Sequence, residues 1–185
     1  MTVEESKKKP RVPLGANYWK LWSSSVVSNL GDGVAQIAYP WLASAVTRSP
    51  VLIALIAVVQ RLPWLLFSLP AGVITDRVDR RKLMLSMNVF RTIITAVVAL
   101  VVLGQSSTLP SPDEIAGGID LETNWIVYVT LVVAALLFGM AELLYDNAAQ
   151  TILPGIVEPE ALESANGNLW GAEMVMNSFV GPPLG

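Results

Sequence analysis

Three ionisable residues, Asp32, Arg61 and Arg91, lie deep inside apolar stretches of the sequence. A charged side chain is costly at membrane depth, so each of them is a functional candidate. At about 1.5 Å of helix rise per residue, Asp32 lies about 20 Å from Trp19. By the same count, Arg61 lies about 15 Å from the start of its stretch and Arg91 about 14 Å from Lys82. The shared depth predicts a buried cluster in which Asp32 faces Arg61 or Arg91.

A buried cluster of this kind could bind and release a proton or a charged group of a substrate. Burial and a nearby guanidinium act in opposite directions on the proton affinity of a carboxyl group, so a small rearrangement could change the protonation of Asp32. Two plainer interpretations stay open. Asp32, between Gly31 and Gly33, could satisfy backbone groups at a local helix break. Arg61 and Arg91 could each take part in a static salt bridge with an acid.

Two further acids, Glu142 and Asp146, are four residues apart and therefore share one helical face. They lie about 25 to 30 Å along a helix from the outer end of their stretch. We expect this charged pair at the cytoplasmic surface, either on a solvated face or in contact with Arg80 and Arg81. Glu173 lies in the last apolar stretch, and its sequence context assigns it no role.

The sequence contains no Cys and no His. This composition excludes thiol nucleophiles, imidazole bases and the usual zinc and haem ligands, so we expect no enzyme and no metal site. No cofactor is predicted, and a proton gradient would supply the coupling ion. The formal net charge is only −3, and the twelve basic residues lie in a few places, which argues against a nucleic-acid partner.

Hydrophobic residues make up 53% of the 185 residues and charged residues 15%, which predicts an integral membrane protein with the lipid bilayer as its partner. A membrane-spanning helix needs about 20 residues. Four stretches are long enough, and a fifth lacks a polar end, so we expect an all-α fragment with four complete spans and part of a fifth. The predicted spans are 19–46, 51–75, 83–104, 125–149 and 165–185.

The connections predict the orientation of the chain. Basic residues lie in the arm at 1–18 and in the connection at 76–82, so both are expected in the cytoplasm, with the protein crossing the plasma membrane several times. The acidic connection at 105–124 is expected outside as an irregular loop. The connection at 150–164 holds only acids and does not fit the rule. Short connections predict that consecutive spans are antiparallel neighbours.

The connection between the second and third spans has the most specific local pattern. Helical spacing places Gly72 and Asp76 on one face, where a neighbouring helix could approach the glycine and meet the carboxylate. Asp76 lies at the carboxyl end of its helix, where a negative charge needs a partner. Arg77, Arg80 and Arg81 could compensate it locally. A positive-inside loop with no further role is the plainer alternative.

This stretch resembles the signature loop of the major facilitator superfamily, which Gly72, Asp76, Arg77, Arg80 and Arg81 match. Asp79 stands where the general family has Gly, which is similar to the branch of the macrolide and enterobactin exporters. The segments at 29–41 and 142–167 are similar to the same branch. The resemblance covers nearly the whole chain and implies a major facilitator fold, present here as part of its amino-terminal half.

Gly181, Pro182 and Gly185 resemble the antiporter motif that this superfamily has in its fifth span. Pro182 cannot donate a hydrogen bond within a helix and should bend it. A plain helix kink or a glycine packed against lipid would have the same pattern. Many drug exporters of the superfamily carry an Arg in the fourth span, whereas this chain has Glu142 and Asp146 there, so the coupling residue is not transferred by resemblance.

The resemblance implies a secondary active transporter, with proton-coupled export of a hydrophobic drug-like, macrolide or siderophore compound. Its partners would be a small amphipathic substrate and the missing carboxyl-terminal half of the same protein. Two alternatives stay open: a small non-transporting membrane scaffold, and a major facilitator uptake permease.

Overall fold

The computed structural model describes residues 13–110, 114 and 122–185, all of them in helices, turns and connecting segments. Four long helices are followed by a shorter one. They are α1 (Gly15–Val46), α2 (Pro50–Arg77), α3 (Arg80–Gly104), α4 (Trp125–Ile152) and α5 (Leu162–Val175). Short 3₁₀ turns at Leu153–Gly155 and Pro159–Ala161 connect α4 to α5, and a π-helical turn at Met176–Val180 and a 3₁₀ turn at Pro182–Leu184 follow it. The predicted all-α fold is confirmed.

Local sequence accounts for where the helices begin. Pro50 opens α2, at a position where its missing N–H forms no bond in any helix. Asp79 caps α3, because its side-chain oxygen accepts a hydrogen bond from the Lys82 N–H at 2.9 Å. Asn124 caps α4 through the Val127 N–H at 3.2 Å. Asp79 is the residue that departs from the general signature loop, and the cap gives it a structural role.

The helices are suited to a bilayer. By length and composition α2, α3 and the stretch Trp125–Gly155 can each cross a membrane. α1 is longer, at 32 residues, but among the described residues it is not one of the helices apolar enough to cross a membrane, so the predicted span at 19–46 is not among them. Large apolar side chains lie on the outer surfaces of α2 and α3, where water would be an unfavourable solvent and lipid is a favourable one. Among them are Leu65, Leu69, Leu85, Leu100 and Leu103.

α4 is the central helix, packed between α2 and α3. The expectation that every pair of consecutive spans would be neighbours is therefore wrong for α2 and α3, which make few contacts with each other. A short connection brings two helices together only at one end, and α4 has the small residues that permit closer packing along its length. A Cβ atom added at Gly139 would overlap the Gln60 carbonyl oxygen of α2.

α1 packs against the last segment of the chain. A Cβ atom added at Gly33 would lie 3.0 Å from the Gly181 Cα atom, and one added at Gly181 would lie 2.6 Å from the Gly33 Cα atom. The two backbones therefore cross at a pair of glycines. Gly181 is buried against the backbone of α1, so the alternative of a glycine packed against lipid is wrong.

The loops at one end of the bundle are tied together. The Asn124 N–H donates to the Val46 carbonyl oxygen at 3.0 Å, and the hydroxyl groups of Thr47 and Thr123 lie 2.9 Å apart. The first and third connections therefore lie at the same end, as alternating spans require. Half of the acidic connection, at 111–113 and 115–121, and the basic residues Lys7, Lys8, Lys9 and Arg11 lie outside the described residues. α1 already begins at Gly15, so the last residues of the predicted arm are helical.

Candidate functional site

Polar side chains form a layer between two apolar clusters. One cluster takes its residues from the later part of α1 and α3 and the first half of α2 and α4, and includes Tyr39, Ile94, Leu131 and Phe138. The other takes the opposite ends of α1, α3 and α4, with Tyr18, Met84, Tyr145 and Leu153. The residues between them, which we call the polar layer, are Ser28, Asp32, Asn88, Arg91, Glu142 and Asp146.

Asp32 of α1 and Arg91 of α3 form a buried ion pair in this layer. The Arg91 Nη1 atom lies 2.8 Å from Asp32 Oδ1 and donates a 2.9 Å hydrogen bond to Oδ2. It also donates to the Ser28 hydroxyl at 2.8 Å. The side chains are only 8% and 2% exposed, so little solvent screens the pair. Of the two partners predicted for Asp32, the structure selects Arg91.

The surroundings of Arg91 leave part of its hydrogen-bonding capacity unused. The guanidinium lies over the Tyr145 ring, 5.4 Å from its centroid, and the Tyr145 hydroxyl lies 3.2 Å from the Ser24 hydroxyl. Arg91 Nε and Nη2 are buried without a hydrogen-bond partner among the described residues. α1 is continuous through Asp32, so the alternative of a helix break at that position is wrong.

Arg61 of α2 pairs with Glu142 of α4 rather than with Asp32. The Arg61 Nη1 atom lies 3.7 Å from Glu142 Oε1, with the Arg61 side chain 55% exposed and that of Glu142 5% exposed. This pair connects two helices at the edge of the polar layer. Because one partner is in contact with the surroundings, the pair is more weakly held than that of Asp32 and Arg91.

The expectation of a solvated face for Glu142 and Asp146 is wrong, since the two residues are 4% and 6% exposed. Counting residues gave their depth along α4 but not the direction in which they point. α4 is the central helix, so a face directed towards α1 is covered by protein. The expected contact with the basic loop is also not formed by Arg80, which pairs with Asp76 instead.

Asp146 differs from the other two acids of the layer. Within residues 13–110, 114 and 122–185, it has neither a salt bridge nor a side-chain hydrogen bond. The charged groups close enough to interact with it electrostatically are Asp32, Glu142, Glu173 and Arg91, three acids and one base. Asp146 is thus a buried carboxyl in predominantly acidic surroundings.

An amide pair connects α1 to the last segment. The Asn177 side-chain N–H donates to Asn29 Oδ1 at 3.1 Å, and the Asn29 amide donates to the Ser25 carbonyl oxygen at 2.8 Å. Sequence reasoning assigned no role to Ser28, Tyr145 or Asn177. Their common signal is an uncharged polar group within an apolar stretch, which is weaker than the signal of a charged residue.

Only part of the signature loop forms the contacts predicted for it. The Arg80 guanidinium lies 3.5 Å from the Asp76 carboxylate, four residues away on the exposed surface, so local compensation of Asp76 is confirmed. Arg77 and Arg81 are exposed. A Cβ atom at Gly72 would meet no described atom within 4 Å. The close approach of another helix at Gly72 stays a prediction.

The segment with Gly181, Pro182 and Gly185 departs from α-helical geometry. The Gly181 N–H donates to the Met176 carbonyl oxygen, five residues back, at 2.8 Å, and Pro182 opens a 3₁₀ turn. A Cβ atom added at Gly185 would lie 2.5 Å from the Val34 carbonyl oxygen. The predicted irregularity at Pro182 is present, and it begins earlier than expected, at Met176.

A cavity of about 1190 Å³ lies between α1 and α3 and reaches the polar layer. Asp32, Arg91 and Asn88 contribute polar groups to its wall, while Leu42 and Phe138 belong to the apolar part. Its combination of a long apolar wall and a few convergent polar groups is typical of sites for small amphipathic molecules. A smaller cavity, of about 470 Å³, continues past Lys20 and Arg81.

The apolar helices and the buried ion pair define a multi-pass membrane protein in a lipid bilayer. Residues 10–167 match the family described as transmembrane secretion effectors, of the major facilitator type. The match covers most of the 185 residues, so the chain belongs to this family of transporters and is not an enzyme. No curated protein and no solved structure shows a significant match to the chain.

Proposed function

We propose that the protein is a secondary active transporter of the plasma membrane, with a cytoplasmic amino terminus, that exports a small amphipathic compound in exchange for protons. The observation that carries this proposal is the ion pair of Asp32 and Arg91. Two buried charges between apolar clusters are costly, and ionisable residues inside a membrane mark functional sites such as substrate pathways and proton relays.

Two further observations favour export and an amphipathic substrate. The family is described by secretion, which is movement out of the cytoplasm. The cavity between α1 and α3 offers an apolar wall beside the polar groups of Asp32 and Arg91. A macrolide or a siderophore is the substrate class that the resemblance of the signature loop suggests.

Coupling would follow from the way the polar layer connects the helices. Asp32 and Arg91 link α1 to α3, and Glu142 and Arg61 link α4 to α2. A change in protonation alters the strength of these links, and a change in their strength alters how the helices pack. Proton transfer and the exposure of the substrate site to either side of the membrane can be linked in this manner.

Everted membrane vesicles containing the intact transporter test the proposal. With an acid interior, we expect accumulation of at least one of three probes: erythromycin, ethidium or enterobactin. A protonophore should abolish it. Absence of proton-driven accumulation for all three would contradict the proposal, and accumulation only in right-side-out vesicles would indicate the uptake permease. A non-transporting scaffold would move none of them in either orientation.

The Asp32→Asn variant should lose proton-driven accumulation at least tenfold, because Arg91 would then be buried without a carboxylate. Glu163→Gln is the matched control, since Glu163 is an exposed acid on α5 and its loss removes the same charge. Both variants must insert at the level of the unmodified protein. Full activity of a well-inserted Asp32→Asn variant would exclude Asp32 from coupling.

A further inference from the structure

The charges of the polar layer, counted together with Arg61 at its edge, do not balance within the described residues. Three carboxyl groups, of Asp32, Glu142 and Asp146, are accompanied by the two guanidinium groups of Arg61 and Arg91. Each guanidinium is already paired with one carboxylate, Arg91 with Asp32 and Arg61 with Glu142. The third carboxyl, that of Asp146, is left without a counter-ion.

An ionised carboxylate is strongly disfavoured in a dry environment unless it is paired or hydrogen-bonded. Asp146 is only 6% exposed, and Asp32, Glu142 and Glu173 would repel a negative charge on it. Binding of one proton to a carboxylate oxygen of Asp146 forms the neutral acid and removes the excess charge. The layer is then neutral, with two ion pairs and one carboxylic acid.

We propose that Asp146 holds the proton that is exchanged during transport, and that Asp32 positions Arg91. The exchange of this proton during transport rests on the proposed function. Its location on Asp146 is argued from the burial of that residue and from the charges around it. Asp32 is a poorer carrier because both of its oxygen atoms lie within 2.9 Å of Arg91 Nη1. Protonation of Asp32 would leave the Arg91 charge buried and unpaired.

Arg91 provides a route by which the proton on Asp146 can affect the rest of the layer. Its Nε and Nη2 atoms have no partner in the part of the chain that the structure describes. Among the described residues it is also the one base close enough to interact electrostatically with Asp146. When Asp146 releases its proton to water, the new carboxylate attracts Arg91 and weakens its bond to Asp32. Loss of the proton thereby loosens the contact between α1 and α3.

Infrared spectroscopy of the full chain in lipid tests the protonated state without any substrate, because the C=O stretch of a carboxylic acid is separate from that of a carboxylate. At neutral pH we expect a band from one buried carboxylic acid. It should be absent in Asp146→Asn and present in Glu173→Gln, the neighbouring half-buried acid. A band that persists in Asp146→Asn, or that disappears in Glu173→Gln, would overturn the assignment.

Transport distinguishes the exchanged proton from a merely structural one. Asn resembles the protonated acid in shape and charge, so Asp146→Asn should fold and should still exchange labelled for unlabelled probe, with erythromycin, ethidium and enterobactin as probes. Net export driven by a pH gradient should fall at least tenfold. Asp32→Asn should lose both activities, because Arg91 is then displaced.

The outcomes separate the two proposals. If the unmodified transporter shows gradient-driven export and Asp146→Asn shows it equally, the proposed function holds and the assignment of the proton to Asp146 is wrong. If the unmodified transporter moves none of the three probes with a pH gradient, the proposed function fails, and the infrared band alone decides whether Asp146 is protonated.

Discussion

The ion pair of Asp32 and Arg91 is the feature on which the functional argument depends at the scale of single residues. Two charges removed from water interact strongly, but they also lose their hydration, so a buried pair contributes little net stability compared with an apolar pair of similar volume. Removal of only one of the two residues is destabilising, because the charge of the other residue is then buried without a partner. The pair links α1 to α3, and under the proposed function a change in its strength would change how these helices pack.

Single and double substitutions of this pair should lower the free energy of unfolding by amounts that do not add. Asp32→Asn and Arg91→Gln should each lower the free energy of unfolding by about 3 to 5 kcal/mol, because each leaves a buried charge unpaired. The double variant should be less destabilised than the sum of the two by at least 1 kcal/mol, as expected for residues in direct contact.

Unfolding in mixed detergent micelles measures these free energies. The same cycle with Asp76→Asn and Arg80→Gln is a suitable control, since that pair is exposed and contributes about 0.3 to 0.5 kcal/mol at most. Strictly additive effects at Asp32 and Arg91 would contradict a direct interaction between them.

At the scale of elements, glycines determine how closely the helices pack. Gly139 allows α4 to approach the backbone of α2 at Gln60, and Gly33 and Gly181 allow α1 to approach the last segment. Close packing of backbones at small residues is a principal source of helix association in membranes, where apolar side chains gain nothing by leaving lipid. The two crossings bring Asp32 and Glu142 to fixed positions in the layer.

Neighbouring glycines of α1 should respond in opposite directions to the same substitution. Gly33→Ala places a Cβ atom 2.7 Å from the Met176 carbonyl oxygen, so the helices must separate, at a cost of about 1 to 3 kcal/mol. Gly31→Ala meets nothing within 4 Å and should stabilise α1 by about 0.5 to 1 kcal/mol, because alanine loses less backbone entropy in a helix.

Thermal denaturation of the purified variants, monitored by the loss of monodisperse protein, would compare them. Equal effects of Gly31→Ala and Gly33→Ala would show that the crossing of α1 with the last segment does not form as described. A selective loss for Gly33→Ala would support it.

At the scale of the whole molecule, the sequence predicted the elements better than their arrangement. The length and apolar character of the stretches predicted the three described helices that can cross a membrane. Equal depth placed Asp32 level with Arg61 and Arg91 but did not decide between them. The position of a residue along a helix does not show towards which neighbour its side chain projects. For this reason Glu142 and Asp146 were expected on a solvated face. α4 is apolar around most of its circumference, so its pattern does not indicate a buried side. Its central position depends on contacts of Gly139 that only the folded chain has.

The orientation in the membrane is a further property of the whole molecule, and it stays a prediction from the distribution of basic residues. The chain contains no Cys, so a single introduced cysteine reports its own location without background. Val78 lies in the signature loop and Ser107 in the third connection, and both are exposed. In intact cells, a membrane-impermeant maleimide should label Ser107→Cys and should label Val78→Cys only after the membrane is opened. The reverse pattern would place the basic loop outside and the amino terminus with it.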